Sequence, residues 1–121
     1  MLKKVTPDYE LFLANLNLET VPQPLRTNGM PFFQNILVLD LQGNDIVDID
    51  GIFCQNLPSL FHLDLRNNKI KTISEHIRAL MNLQVLRLDN NVLSALIPEV
   101  CSLRLLEELS VSRNKLTELP V

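Results

Sequence analysis

Apolar residues recur along the chain in one pattern, met four times. It runs Ile36-x-x-Leu39-x-Leu41-x-x-Asn44-x-Ile46, then Leu60-x-x-Leu63-x-Leu65-x-x-Asn68-x-Ile70. It continues as Leu83-x-x-Leu86-x-Leu88-x-x-Asn91-x-Leu93 and Leu106-x-x-Leu109-x-Val111-x-x-Asn114-x-Leu116. Starts at 36, 60, 83 and 106 set periods of 24, 23 and 23 residues. The alternation Leu39/Leu41, Leu63/Leu65 and Leu86/Leu88 predicts short strands with one face inward and the intervening residues in water. Strands of successive copies then pair in parallel, about 4.8 Å apart, as a curved solenoid. The second half of each copy also keeps register: Ile49, Ile73, Leu96 and Leu119, then Phe53, Ile77 and Val100, then Phe33, Leu57, Leu80 and Leu103 before each new strand. Spacings of three to four predict a short helical or 3₁₀ segment with one buried side. Pro58 and Pro98 lie at or beside its ends, where a missing N–H costs least.

Asn44, Asn68, Asn91 and Asn114 fall where the chain turns out of each strand. A carboxamide both donates and accepts, so it can satisfy turn backbone that would otherwise be buried unpaired, and a buried ladder is expected. A degenerate copy precedes the four: Leu11 and Leu13 fill the strand positions, Leu18 and Val21 the later ones, and Leu16 stands where Asn would be. Terminal repeats are commonly atypical, which makes this an N-terminal cap. The following interval lengthens to 28 residues through Pro22-Gln-Pro24-Leu-Arg-Thr-Asn-Gly29-Met-Pro31, a surface loop by its Pro and Gly. The division expected is residues 1–35 as capping repeat and Pro/Gly loop, and 36–121 as four repeats, the last truncated, all within one domain.

With L-x-x-L-x-L-x-x-N-x-L matched four times, residues 11–121 resemble the leucine-rich-repeat family. Leu96-Ile-Pro98-Glu-Val100-Cys-Ser-Leu103 is similar to the L-P-x-x-I-x-x-L segment of its intracellular, Ras-suppressor-like group, with Ile97 in place of the usual Pro. The resemblance implies an α/β fold: a right-handed leucine-rich-repeat solenoid with a parallel concave β-sheet and short helical or 3₁₀ convex segments. It also implies a protein–protein interaction module.

Composition agrees with a repeat: 25 Leu and 12 Asn in 121 residues, against 3 Gly, 1 Tyr and no Trp. A net charge of −3 gives little reason to expect a nucleic-acid partner, whose binders carry basic stripes. Lys3 and Lys4 are not followed by the apolar run of a secretory signal, and no stretch approaches the roughly 18 apolar residues of a membrane span. Two cysteines and no Asn-x-Ser/Thr acceptor point to a cytoplasmic, or nuclear, protein.

Catalytic chemistry finds little material. His62 falls on a strand facing out and His76 in the convex segment, so the core separates the two histidines, and no enzyme activity is expected. Cys54 and Cys101 sit at one repeat position two repeats apart, about 10 Å, beyond the roughly 7 Å of a disulfide, and read as free, small buried hydrophobes. Three possible ligands, Cys54, His76 and Cys101, without a C-x-x-C or H-x-x-x-H pair make a metal site weak. Gly29, Gly43 and Gly51 form no phosphate loop, and neither cofactor nor metal is expected.

The outward side of the strands is left to carry function, in three columns. Phe12, Asp40, Asp64, Arg87 and Ser110 form one; Ala14, Gln42, Arg66, Asp89 and Ser112 another; Val38, His62, Val85 and Glu108 a third. Leu37 and Phe61 lie at the sheet's entrance. Apolar residues among charges of both signs compose a protein-binding patch, centred on Phe61, His62, Asp64, Arg66, Arg87 and Asp89. The plainer account is a solvated face on which Asp64 with Arg87, or Arg66 with Asp89, pair across neighbouring strands. The expected function is a scaffold or adaptor that holds a folded partner on this face. The alternative is the targeting or regulatory part of a larger signalling protein or enzyme. The chain stops in mid-repeat at Leu116-Thr-Glu-Leu119-Pro-Val121, so Leu109, Val111, Leu116 and Leu119 are expected to be exposed, and self-association through that end is a third reading.

Overall fold

The computed structural model describes residues 9–23, 34–49 and 51–117. Leu119, Phe33 and most of the Pro/Gly loop lie outside the described residues. Strands β1 (Glu10–Phe12), β2 (Val38–Asp40), β4 (His62–Asp64), β6 (Val85–Arg87) and β7 (Glu108–Ser110) form one sheet in that order. Every pairing is parallel and in the register that the repeat imposes, with Leu11, Leu39, Leu63, Leu86 and Leu109 side by side. Each strand is only three residues long because the chain turns away as soon as its central leucine is inserted. The first four leucines of that row are fully buried and Leu109 is 39% exposed. Each fully buried leucine contributes about 1.5–3 kcal/mol through loss of apolar surface from water.

The opposite wall consists of a six-residue α-helix, α1 (Gly51–Asn56), and 3₁₀ segments at Glu75–Ala79 and Pro98–Ser102, packed against one another in chain order. Phe53, Ile77 and Val100 are their buried anchors, as the spacing requires. Ser74 opens the first 3₁₀ segment by accepting from His76 N–H at 3.1 Å, and Pro98 opens the second, where no N–H is needed. Between the two walls β3 (Asp48–Ile49) and β5 (Thr72–Ile73) pair as a second, two-stranded parallel sheet, which the sequence reading did not contain.

The asparagine ladder is present, and each rung joins two repeats. Asn68 Nδ2 donates to Leu41 O at 3.0 Å and Leu65 O at 3.1 Å, while its Oδ1 accepts from Ile46 N–H at 3.1 Å. Asn91 repeats this with Leu65, Leu88 and Ile70, and Asn114 with Leu88, Val111 and Leu93. Asn44 accepts from both Leu16 and Leu18 N–H, so the copy that lacks its own asparagine is held by the next one. The residue before each rung, Gly43, Asn67, Asn90 and Arg113, has left-handed backbone, as does Asn15 before Leu16 at the corresponding place in the capping copy, with φ from 55° to 71°. Asn and Gly are the residues that enter this region most readily, which explains the pairs Asn67-Asn68 and Asn90-Asn91. At position 43 a Cβ would also collide with Asn15 Oδ1.

Two expectations are corrected. Cys54 is buried in α1, but Cys101 is exposed, because the final turn of its 3₁₀ segment carries it to the surface. Neither cysteine is in a disulfide, as the spacing required. Leu109 is exposed as expected, whereas Val111 and Leu116 are only half-exposed and pack against the core.

Candidate functional site: the outward face of the sheet

Side chains alternate across β1, β2, β4, β6 and β7, so those flanking each central leucine project from the core. Val38, His62, Val85 and Arg87 are half-buried on this face, and Phe12 is 37% exposed at its first strand. The face brings together all six residues singled out from sequence, though not equivalently. Phe61 and His62 are consecutive, half-buried and meet edge to face, with ring centroids 6.4 Å apart and planes at 81°. Asp64 is only 4% exposed, because Arg66 closes over it.

The charges do not pair as expected across neighbouring strands. Arg66 Nη2 donates to Asp64 Oδ2 at 2.7 Å and its Nε to Asp64 Oδ1 at 2.9 Å, and Asp64 Oδ1 also accepts from Arg66 N–H. Residues two apart share a strand face, and this fork needs no partner from the next repeat. The Asp64 carboxylate accordingly raises the Arg66 guanidinium above its ordinary pKa. Arg87, left without Asp64, bonds Glu108 Oε2 at 2.8 Å on β7, two residues before Ser110, which lies opposite it in register. Asp89 turns the same way and accepts from Ser112 N–H at 2.7 Å and Ser112 Oγ at 2.8 Å. Burial pushes the Asp89 carboxyl up, but the nearby Ser110 hydroxyl, these two Ser112 donors and the charge of Arg66 together hold it below its ordinary value. Ser110 Oγ is close to Asp89 yet makes no well-formed hydrogen bond of its own.

An apolar row extends the face at the strand entrances, where the sequence placed Leu37 and Phe61 but not Tyr9. Leu37 N–H donates to Tyr9 O, Phe61 N–H to Leu37 O and Gln84 N–H to Phe61 O, which aligns Tyr9, Leu37, Phe61 and Gln84 in one row at the strand entrances. Tyr9 is 40% exposed and Leu37 37%, so the entrance is aromatic and aliphatic over the first three strands and polar beyond them. The signal was in the sequence: Tyr9 precedes Leu11 by two residues, as Leu37 precedes Leu39 and Phe61 precedes Leu63.

Other candidate chemistry does not converge here. His76 lies on the opposite wall with its Nδ1 2.9 Å from Ser74 Oγ. Among the described residues no group of three or more His, Cys, Asp or Glu side chains could hold a metal ion, and no helix is long and apolar enough to cross a membrane.

Residues 34–93, from the approach to β2 through the third ladder asparagine, match the family model for the leucine rich repeat. The chain belongs to the leucine-rich-repeat family. It is 37% identical over 97 residues to the rat volume-regulated anion channel subunit LRRC8D, covering 78% of this chain and 11% of that protein. Against the adenylate cyclase of Schizosaccharomyces pombe it is 29% identical over 121 residues, 98% of this chain and 7% of that protein. The Arabidopsis thaliana BIR3–SERK2 complex contains a chain that superposes with a TM-score of 0.72 at 31% identity, over 90% of this chain and 56% of that one. This leucine-rich-repeat chain thus spans about a tenth of the curated relatives it matches. Leucine-rich-repeat domains as a class mediate protein–protein interaction, and repeat solenoids present extended concave surfaces for binding.

Proposed function

We propose that this chain is a non-catalytic scaffold or adaptor module that holds a folded protein partner on the outward, concave face of its sheet. The observation that carries the reading is the composition of that face. An apolar strip of Tyr9, Leu37 and Phe61 at the strand entrances, with Phe12 farther along β1, accompanies a charged field whose members are already fixed in place by Asp64–Arg66, Arg87–Glu108 and Asp89–Ser112. Aromatic and aliphatic anchors beside preorganised charges supply binding energy and orientation without the entropy cost of ordering long side chains. Phe61, His62, Arg66 and Arg87 are the contacts at the centre, with Asp64 and Asp89 holding their neighbours in position.

A second reading is favoured by the small share of its relatives that the chain spans: that it serves as the targeting or regulatory part of a larger signalling protein or enzyme. Both readings use the same face. The test is capture from a lysate of the source cells by the native chain and by a Phe61→Ala, Arg87→Glu double variant, read by mass spectrometry. A protein held by the native chain and lost by the variant, with circular dichroism and melting unchanged, is the expected result. Equal capture by both would place the site elsewhere.

A further inference from the structure

A second surface lies away from this face, at the turns that lead from the 3₁₀ segments into β6 and β7. Arg78 on the Glu75–Ala79 segment with Met81 and Asn82 of the turn after it, and Ser102 at the end of Pro98–Ser102 with Arg104 and Leu105 of the next turn, line an open groove of about 670 Å³. That volume falls within the roughly 300–1,000 Å³ of clefts that take small ligands or a few side chains. Asn82 Nδ2 donates to Pro58 O at 2.9 Å, which ties its turn to the repeat before and gives the groove a fixed wall.

The lining combines two features that neither solvent nor the core explains. Met81 is 71% exposed and Leu105 48%, the two most exposed of the larger apolar side chains on these repeats. Arg78 and Arg104 flank them with no carboxylate in the lining, and neither enters an ion pair among the described residues. On the sheet face, by contrast, Arg66 and Arg87 are each matched by a carboxylate. An apolar floor between two unmatched guanidinium groups complements a segment with apolar side chains beside acidic ones. A basic segment would be repelled, and a wholly apolar one would leave both arginines without a counter-charge. A nucleic-acid strand fits less well, since the chain carries a net charge of −3 and the groove offers only two cations.

We propose that this groove docks an acidic, apolar-anchored peptide segment of a second protein, at a site separate from the sheet face. Such a chain could hold two partners at once, or grip one partner at two places, with the gain in avidity that linked sites provide.

Met81 supplies the reporter, being one of only three methionines in the chain. Protein carrying ¹³C-methyl methionine is titrated with a short peptide of Leu, Phe, Asp and Glu, and separately with an analogue in which Lys replaces each acid. The Met81 methyl resonance should move with the acidic peptide alone. Binding should weaken with added salt and fall about tenfold or more in an Arg78→Glu, Arg104→Glu double variant. The Phe61→Ala, Arg87→Glu variant should bind the acidic peptide like the native chain. Arg78 and Arg104 are both exposed, so the charge reversals should leave the core intact, with a circular dichroism spectrum like that of the native chain. The proposal fails if Met81 does not move, or if the Lys analogue or a single-stranded oligothymidylate moves it as strongly. It also fails if affinity survives the arginine reversals, or if Met81 shifts with protein concentration alone, which would make the occupant a second copy of the chain.

Discussion

Asn67 and Asn68 are neighbours in the chain and serve opposite ends of the physics. Asn67 is exposed and holds a left-handed turn at φ 59°, while Asn68 is buried and bonds four backbone groups from two repeats. Removing the Asn68 amide strands Ile46 N–H, at about 1–3 kcal/mol for a group left unsatisfied, and takes one of two amide donors from each of the Leu41 and Leu65 carbonyls, which keep Asn44 and Asn91. Asn68→Ala should therefore lower Tm by roughly 5 °C or more in a thermal melt. Asn114→Ala, at a half-buried rung, should cost visibly less. Equal melts for Asn68→Ala and the native chain would mean that water takes over the amide's role. The sequence reading found the buried row of asparagines from its period. It missed the second row because a left-handed φ leaves no mark on hydrophobic spacing.

Between elements, the turn after each strand decides how charge is distributed. Asp64 closes on its own turn and Asp89 reaches to the next one, although both sit in the outward columns. Asp89, with a carboxyl held below its ordinary value of 3.8, has a defined consequence for acid stability. A depressed folded-state pKa contributes stability that is present in full above the unfolded value and is lost as pH falls through the folded one. The contact between the β6 and β7 turns should thus weaken only below about pH 4, and Asp89→Asn should flatten that part of a pH–stability curve. An unchanged acid limb in the variant would assign the loss to other carboxylates. The effect is small, since Asp89 remains partly open to solvent. Residue types alone allowed Asp64–Arg87 and Arg66–Asp89 with equal ease. Only the positions of the turns show that each aspartate is satisfied before a cross-strand arginine reaches it.

For the whole molecule, stability is a sum over neighbours. Each strand pairs only with the adjacent repeat, and the opposite wall packs in the same order. Leu63, fully buried between β2 and β6, should cost about 2–5 kcal/mol when replaced by Ala, whereas Leu109→Ala, already 39% exposed, should cost well under half as much in urea unfolding. Similar losses at both sites would contradict a linear array. The sequence by itself determined the family, the parallel sheet, its register, the short helical wall and the ladder. All of these follow from apolar and asparagine positions that repeat every 23 or 24 residues, and a fixed period leaves one way to stack them. The tertiary structure alone decided what the unrepeated residues do. It showed which charges on the sheet face are spent on one another, that Cys101 is exposed, that Tyr9 joins the apolar strip, and that two turns enclose the Arg78–Arg104 groove. Those residues lie outside the period, and their partners are set by short distances between repeats, which spacing along the chain does not encode.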